Sequence, residues 1–183
     1  MNQYTCIALE SVNYSSNGQT SAFKTDKFSY LAVDVNVSRL RGNTPTIAIF
    51  FERQGADGNW YPIWSPTALS ASGSLSTTIG SGQATNQALT DLARVRWAFT
   101  GTNIATTVTT GANSATQVLG STAGMVAGDV LHFATANADR TIQSVTDSTH
   151  VVLTQAINST TTEAVTVKNT PDATLSLSVQ SRA

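Results

Sequence analysis

The alternation of apolar and polar residues with a period of two constrains the fold of this chain more than any other feature of its sequence. It recurs in three stretches, residues 28–37, 93–101 and 174–180. Successive side chains of an extended strand point to opposite faces, so each stretch predicts a strand with one buried face. Across the chain as a whole, many apolar positions are Val or Ile, whose branched side chains favour strands over helices. The sequence therefore predicts an all-β fold.

A fourth stretch, residues 45–54, is apolar on both faces for most of its length. It is interrupted by Gly-Ala-Asp-Gly at residues 55–58, and the strand pattern resumes with Asn-Trp-Tyr at residues 59–61. Gly and Asp are typical turn residues, so this arrangement predicts a β-hairpin with a four-residue loop.

Residues 64–92 contain mainly Ser, Gly, Thr and Ala. This composition predicts a long surface loop around one short strand at residues 74–79. Near its end, residues 84–93 place four apolar residues on one helical face, which favours one or two turns of helix there.

The stretch from residue 103 to residue 169 is almost devoid of aromatic residues and lysine, and it is too long for an ordinary loop. Strand patterns at residues 130–134, 140–145 and 150–155, with a fourth strand around Val165 and Val167, predict a small antiparallel barrel or sandwich.

The strand patterns divide the chain into two domains. We predict a main antiparallel β-sandwich, jelly-roll-like, from residues 1–102 and 170–183, with residues 103–169 inserted as a second domain. The strands on either side of the insert are predicted to pair as a hairpin whose tip has been expanded. Insertions are tolerated at exposed loop tips because few backbone hydrogen bonds are lost there.

Charge and composition exclude several kinds of partner. Charged residues make up 11% of the chain, and 10 Lys and Arg nearly balance 11 Asp and Glu, so we expect no nucleic-acid partner. No apolar run has the length of a membrane span, so we expect no membrane partner.

The first ten residues lack the features of a secretory signal, and the single cysteine, Cys6, cannot form an internal disulfide. We expect synthesis in a reducing host cytoplasm.

The sequence contains few groups suited to catalysis. His132 and His150 lie in predicted strands, and no neighbouring carboxylate or cysteine has metal-ligand spacing. Cys6 lies among apolar residues and has no histidine near it in the sequence. We therefore predict no catalytic residues, no metal and no cofactor, and we expect that the protein is not an enzyme.

Three aromatic residues, Trp60, Tyr61 and Trp64, cluster after the hairpin turn. Exposed rings of this kind bind sugars through their apolar faces, so a glycan-binding surface is one interpretation. The alternative, which we favour, is that alternate members of the cluster fill the sandwich core together with Phe50 and Trp97, because large rings are needed inside first.

Arg94 and Arg96 lie on the strand face opposite Trp97. Arginine suits contacts between subunits because its planar guanidinium offers several donors in a fixed geometry. We predict that these two residues form a solvated or inter-subunit stripe.

The succession FSYLAVDVNVSRLRGNTPTIAIFFERQGADGNWYPIW, then ARVRWAFTGT, then ATLSLSV resembles the β-sandwich proteins encoded among the structural genes of tailed bacteriophages. The resemblance covers residues 28–64, residues 93–102 and the last strand, and it is carried by strands and turns. The segment AGDVLHFATANADRTIQSVTDSTHVVLTQAI is similar to small β-modules of phage head, neck and tail proteins. The resemblance implies function through shape and self-assembly, with no catalytic residues to transfer.

These observations lead to an expected function in virion assembly. We expect a structural subunit of a virion, either a capsid-decorating or cementing subunit or a head-to-tail connector or tail or fibre component. The expected partners are further copies of itself in a homo-oligomer and other virion proteins, namely major capsid or tail proteins. Exposed strand edges would contribute to such contacts. A glycan-binding module is the alternative from a different class.

Overall fold

The computed structural model describes residues 3–26, 28–89 and 92–182, with the side chains of residues 3–7 and 182 outside the description. It confirms the predicted all-β class: antiparallel sheets form a sandwich, and a closed six-stranded barrel is also present. The first compact unit contains Met1–Leu40, Thr44–Thr100 and Asp172–Ala183, and the second contains Arg41–Asn43 and Gly101–Pro171.

The unit boundaries lie close to the domain boundaries expected from sequence, with one addition. The chain leaves the first unit after Thr100 and returns to it at Asp172, whereas the sequence predicts these changes after residues 102 and 169. The three residues Arg41–Asn43, predicted to belong to the sandwich, are part of the second unit.

The first unit is a sandwich of two sheets. Its strands are β1 (Gln3–Tyr14), β2 (Gly18–Gln19), β3 (Phe23–Lys24), β4 (Tyr30–Arg41), β5 (Asn43–Gln54), β6 (Trp60–Trp64), β7 (Gly73–Gly80), β8 (Leu92–Thr102) and β15 (Asp172–Arg182). In the first sheet the strand order is β1-β15-β4-β7. In the second sheet it is β2-β8-β5-β6, with β3 also paired to β8.

The alternating residues identified in the sequence form the sandwich core. On β4, Leu31, Val33, Val35 and Val37 are all buried, as the period of two predicts. Inward-facing side chains of β5, β7, β8 and β15 complete the same cluster: Ile47, Ile49, Phe51, Ile79, Ala93, Val95, Trp97, Ala173, Leu175, Leu177 and Val179. Each fully buried large aliphatic or aromatic side chain contributes about 1.5–3 kcal/mol, so burial of this face is the main stabilising term.

The predicted hairpin is confirmed as the β5–β6 pair, although its loop has five residues, 55–59, and not the four predicted. Asp57 and Gly58 lie in its turn, where the Gly58 amide donates to the Gly55 carbonyl at 3.0 Å. Gly58 has a φ of 80°, a conformation that glycine adopts without the steric cost of a side chain. This turn sets the register in which Gln54 lies opposite Trp60.

Two local predictions are wrong. The strands on either side of the insert do not pair with each other, because β8 lies in the second sheet and β15 pairs with β1 in the first. Residues 84–89 form no helix; instead Thr85 makes an isolated bridge to Ile79. Thr90 and Asp91, which also fall in the predicted helical stretch, lie outside the described residues.

The edges of the two sheets carry features that limit pairing with other strands. β6 is only five residues long and contains Pro62, which has no amide hydrogen to donate. The β7 edge is covered near its end, where the Thr85 amide donates to the Thr78 carbonyl at 2.9 Å. β1 has two register shifts along its pairing with β15. The exposed edges expected from sequence are therefore short, covered or irregular.

The second unit is a closed barrel with strand order β10-β13-β12-β11-β14-β9. The strands are β9 (Ala105–Thr110), β10 (Asn113–Leu119), β11 (Val130–Phe133), β12 (Ala138–Val145), β13 (His150–Asn158) and β14 (Ala164–Val167). The last four are the strands predicted from sequence, whereas the Thr-rich β9 and β10 were missed. Its apolar interior is separate from that of the sandwich and includes Leu119, Leu131, Phe133, Leu153 and Val165.

Two buried carboxylates of the barrel unit, Asp129 and Glu163, accept hydrogen bonds from several donors. Arg41 donates through both terminal nitrogens to the Asp129 carboxylate at 2.8–3.1 Å, and the Val126 amide donates to the same carboxylate. Glu163 accepts from the Ala136 and Thr160 amides. Buried charge is tolerated when each carboxylate has donors of this kind.

The expectation that Phe50 fills the core with Trp97 is wrong for Phe50. Phe51 is fully buried, whereas Phe50 is half-buried on the outer face of the same strand. The two neighbours point to opposite faces because successive side chains of a strand do so. Trp97 is buried in the core as predicted.

The difference in burial between Phe51 and Phe50 predicts a difference in their contributions to stability. Phe51→Ala should lower the free energy of unfolding by about 3–5 kcal/mol, because it leaves a cavity in the core. Phe50→Ala, the matched control, should lower it by about 1 kcal/mol, because its ring is partly in solvent. All three tryptophans lie in the sandwich, so tryptophan fluorescence during urea unfolding reports on this unit. Equal losses for the two variants would contradict the assignment of faces.

Candidate functional site

The outer face of the second sheet brings together two of the sequence-predicted residues, Arg94 and Arg96, with a buried carboxylate. On β8 these arginines alternate with the inward residues Val95 and Trp97 and so point away from the core. On β5 the outward position next to the buried Phe51 is Glu52. Alternation in two neighbouring strands therefore places one acid between two bases.

Glu52 holds both arginines. Its carboxylate accepts from Arg94 Nε at 2.7 Å and from Arg96 Nε at 2.8 Å. Glu52 is only 3% exposed, and hydrogen bonds to a charged acceptor are roughly twice as strong as neutral ones. Because one negative charge faces two positive charges, the group has a net charge of plus one.

Each arginine also lies over an aromatic ring. The Arg94 guanidinium is 4.2 Å from the centre of the Trp60 ring, and the Arg96 guanidinium is 3.9 Å from that of Phe50. Such contacts are worth about 0.5–1 kcal/mol at exposed sites and restrict the side chain to one orientation. We name the set Phe50, Glu52, Trp60, Arg94 and Arg96 the arginine platform.

The arginine platform keeps free donors toward solvent. Among the described residues, no protein group accepts a hydrogen bond from the terminal Nη atoms of Arg94 or Arg96, which bind Glu52 through Nε. The Arg96 side chain is 34% exposed, and that of Arg94 is 16% exposed. The platform can therefore accept an additional anionic or polar group without breaking its internal contacts.

The pKa of Glu52 is lowered by its two arginine partners. Burial alone would raise the pKa, but the hydrogen bonds from Arg96 and Arg94 outweigh it and hold the pKa below its usual value of 4.5. The carboxylate is therefore ionised at neutral pH and keeps both guanidinium groups in place.

The other two predicted aromatic residues do not join the platform. Trp64 lies opposite Phe51 in the β5–β6 pair and packs against the sandwich core. Tyr61 is 45% exposed, and its hydroxyl donates to Asp57 at 2.5 Å. The rings of Trp60, Tyr61 and Trp64 therefore have three different environments.

The link between Tyr61 and Asp57 belongs to the hairpin turn. The hydrogen bond from Tyr61, followed by those from the side chain and backbone of Asn59, lowers the pKa of Asp57 to about 2. The same bond raises the pKa of Tyr61. Because Asp57 already accepts three hydrogen bonds within the turn, its role is explained by local structure.

The structure places one aspartate beside each histidine. His132 Nδ1 lies 2.8 Å from Asp139, which also binds Lys168 at 2.7 Å. His150 Nδ1 lies 2.9 Å from Asp147. The pKa of Asp139 is lowered by Lys168 and then His132.

These histidine–aspartate pairs are exposed and lack a nucleophile. The pKa of Asp147 is lowered by the Thr149 amide and then by His150, as is common for an Asp in a turn. A catalytic triad needs a hydroxyl at the ring nitrogen that the carboxylate leaves free. The Thr149 hydroxyl lies near the same Nδ1 of His150, and no described hydroxyl or thiol binds Nε2 of either histidine. Within the described ranges, no group of three or more His, Cys, Asp or Glu is placed to bind a metal ion.

A second surface feature lies on the outer face of the first sheet. The outward side chains of β15, β4 and β7 are small and polar, and they leave a shallow groove of about 520 Å³. Asp34 on β4 lies opposite Ser76 on β7. Asp34 is the only charged residue that lines the groove, and no described group donates a hydrogen bond to it. We name this feature the Asp34 groove.

No known family model matches the chain, and a search of curated proteins finds no significant match. The described residues include no helix able to span a membrane.

Glu52 was not predicted from the sequence as a site residue and Phe50 was assigned to the core, although the alternation along β5 places both on the outer face. The outward position of both residues follows from strand alternation. Phe51 continues the apolar face of Ile47 and Ile49, so Phe50 and Glu52 on either side of it must face outward. The same alternation places Arg94 and Arg96 on the outer face of β8. Alternation does not predict which strands are neighbours, so the pairing of β5 with β8 could not be predicted from it.

The platform predicts a specific pH dependence of stability. Glu52→Gln should lower the free energy of unfolding at pH 7 by about 2 kcal/mol, because it removes two charge-assisted hydrogen bonds. The folded pKa lies below the unfolded value, so this contribution is present above the unfolded pKa and is lost as the pH falls through the folded pKa.

The measurement is urea unfolding of both proteins between pH 7 and pH 3. The stability difference should shrink below about pH 4.5. Glu10→Gln, at an exposed position on β1, serves as the matched control. A difference for Glu52→Gln that stays constant down to pH 3 would contradict the assigned role.

Proposed function

We propose that the protein is a structural subunit of a tailed-phage virion, of the type that decorates or cements the capsid. In this proposal it acts by binding neighbouring subunits and not by catalysis. The observation that carries the proposal is the arginine platform, a partly exposed group of arginines held by Glu52 and by aromatic rings.

The composition of the platform favours a protein–protein contact. Arginine and aromatic residues are enriched in interfaces and account for most residues that dominate binding energy. Arg94 and Arg96 are already held by Glu52 and by stacking on rings, so little side-chain entropy remains to be lost on binding. Such pre-organisation supports affinity without a deep pocket.

The sequence resemblance supports the virion setting. The stretches that resemble phage structural proteins form β4, β5, β6, β8 and β15, which all belong to the sandwich. Both arginines of the platform lie within the resembling Arg-Val-Arg-Trp motif. A head-to-tail connector or a tail or fibre component is the alternative position on the particle, and a connector would assemble as a ring.

The proposal is tested on purified particles of the virus that encodes this chain. Quantitative mass spectrometry should find the protein in a fixed copy number per particle. Recombinant protein should co-sediment with particles that lack the subunit. Absence from the particles, or wild-type protein that remains in the supernatant, would overturn the proposal.

A matched variant tests the role of the platform in this binding. The triple change Glu52→Gln, Arg94→Gln and Arg96→Gln removes its charges without leaving a buried carboxylate unpaired. Two interface arginines worth about 1.4 kcal/mol each predict binding about 100-fold weaker in the co-sedimentation assay. Arg53→Gln, on the same strand but outside the platform, should bind like wild type. Equal binding by the triple variant would place the contact elsewhere on the protein.

Glycan binding is the second candidate, and the exposure of Tyr61 favours it. Sugars stack on open aromatic faces, and Trp60 has one face covered by Arg94. Host polysaccharide should then quench tryptophan fluorescence saturably, and Tyr61→Ala should weaken the effect. No quenching by the wild-type protein would reject this candidate.

A further inference from the structure

We infer that the sandwich self-associates head to tail, with the arginine platform of one copy seated on the Asp34 groove of the next. The inference rests on the proposed function as an assembly subunit and names the partner as a second copy of this chain. It follows from the charge and the placement of the two surfaces.

The two surfaces are complementary in charge. The platform has a net positive charge and presents the free Nη atoms of Arg94 and Arg96. The groove has one charge, the carboxylate of Asp34, which no described group neutralises. A guanidinium with two free Nη donors matches the two oxygens of a carboxylate, and this geometry strengthens the bond.

The groove also offers partners for the rest of the platform. Asn36 and Ser76 lie beside Asp34 and provide hydrogen-bonding groups. The small side chains of this face leave a recess, into which the larger arginine and aromatic side chains of the platform can fit. No described Lys or Arg lines the groove, so the guanidinium groups of the platform would meet no positive charge there.

The placement of the surfaces determines how copies would assemble. The platform lies on the outer face of the second sheet and the groove on the outer face of the first, so they occupy opposite faces of one sandwich. When two copies join through the platform of one and the groove of the other, the dimer still has one free platform and one free groove. Further copies can therefore bind at both ends. Such a heterologous contact gives rings when the rotation closes and filaments when it does not.

The contact is tested by blocking each surface in a separate variant. Asp34→Lys reverses the charge of the groove and leaves the platform intact. The triple variant Glu52→Gln, Arg94→Gln and Arg96→Gln neutralises the platform and leaves the groove intact. Sedimentation velocity over a range from about 1 μM to 1 mM should show concentration-dependent oligomers for wild type.

Each variant alone should associate at least about tenfold more weakly than wild type, since each loses a charge-assisted contact. Mixed together, the two variants should form a one-to-one dimer and nothing larger, because one intact platform meets one intact groove. Asp26→Lys and Arg53→Gln change charge elsewhere on the sandwich and should associate like wild type. The native tryptophan fluorescence of each variant checks that the sandwich is folded.

Several results would overturn the inference: wild type that stays monomeric up to 1 mM, variants that associate like wild type, or a mixture that forms no dimer. If any of these occurs while the protein is still found on particles and binds them, self-association through these faces fails and the proposed function stands. If the protein is absent from particles but the mixture forms its dimer, the proposed function fails and the contact stands.

Discussion

The packing of two sheets through one shared core determines the outer surfaces of the sandwich as well as its interior. Phe51 and Trp97 must point inward to fill the core, so the residues next to them in sequence must point outward. Those residues include Glu52 and Arg96. The arginine platform is thus a consequence of strand alternation, and a one-residue change of register in β5 or β8 would both expose the core and turn the platform residues inward.

Within the platform, Glu52 is the residue on which the others depend. A carboxylate that is 3% exposed requires donors, and the two arginines provide them. In return, the carboxylate keeps two long side chains over the rings of Trp60 and Phe50. Because one acid neutralises only one of two bases, the surface remains positive and retains free donors. The same cluster of Glu52, Arg94 and Arg96 therefore both fixes the arginine side chains and leaves donors free for a binding partner.

The sequence was informative wherever apolar and polar residues contrast. It predicted β4, β8 and β15 because apolar and polar residues alternate there, and β5 because its apolar run is bounded by a Gly- and Asp-containing turn. It missed β9 and β10, where Thr, Ser and Ala give no contrast between faces. Alternation shows which face is buried but not which strand is the neighbour, and so the pairing of β8 with β15 was predicted wrongly.

The same limit applies to the sites. Strand alternation alone places Glu52, Arg94 and Arg96 on the outward faces of their strands, so that part of the platform was predictable. The pairing of His132 with Asp139 depends on the register of the β11–β12 hairpin, which the sequence did not determine.

The treatment of strand edges indicates which surfaces remain for assembly. The barrel is closed and has no free edge, and the edges of the sandwich are shortened, covered or irregular. Open edges associate through backbone hydrogen bonds, which any strand can provide, so such contacts have little specificity. Faces associate through side chains and can select a partner by shape and charge. A chain that limits pairing at its edges while presenting pre-organised arginines on one face is suited to specific, repeated contacts through its faces.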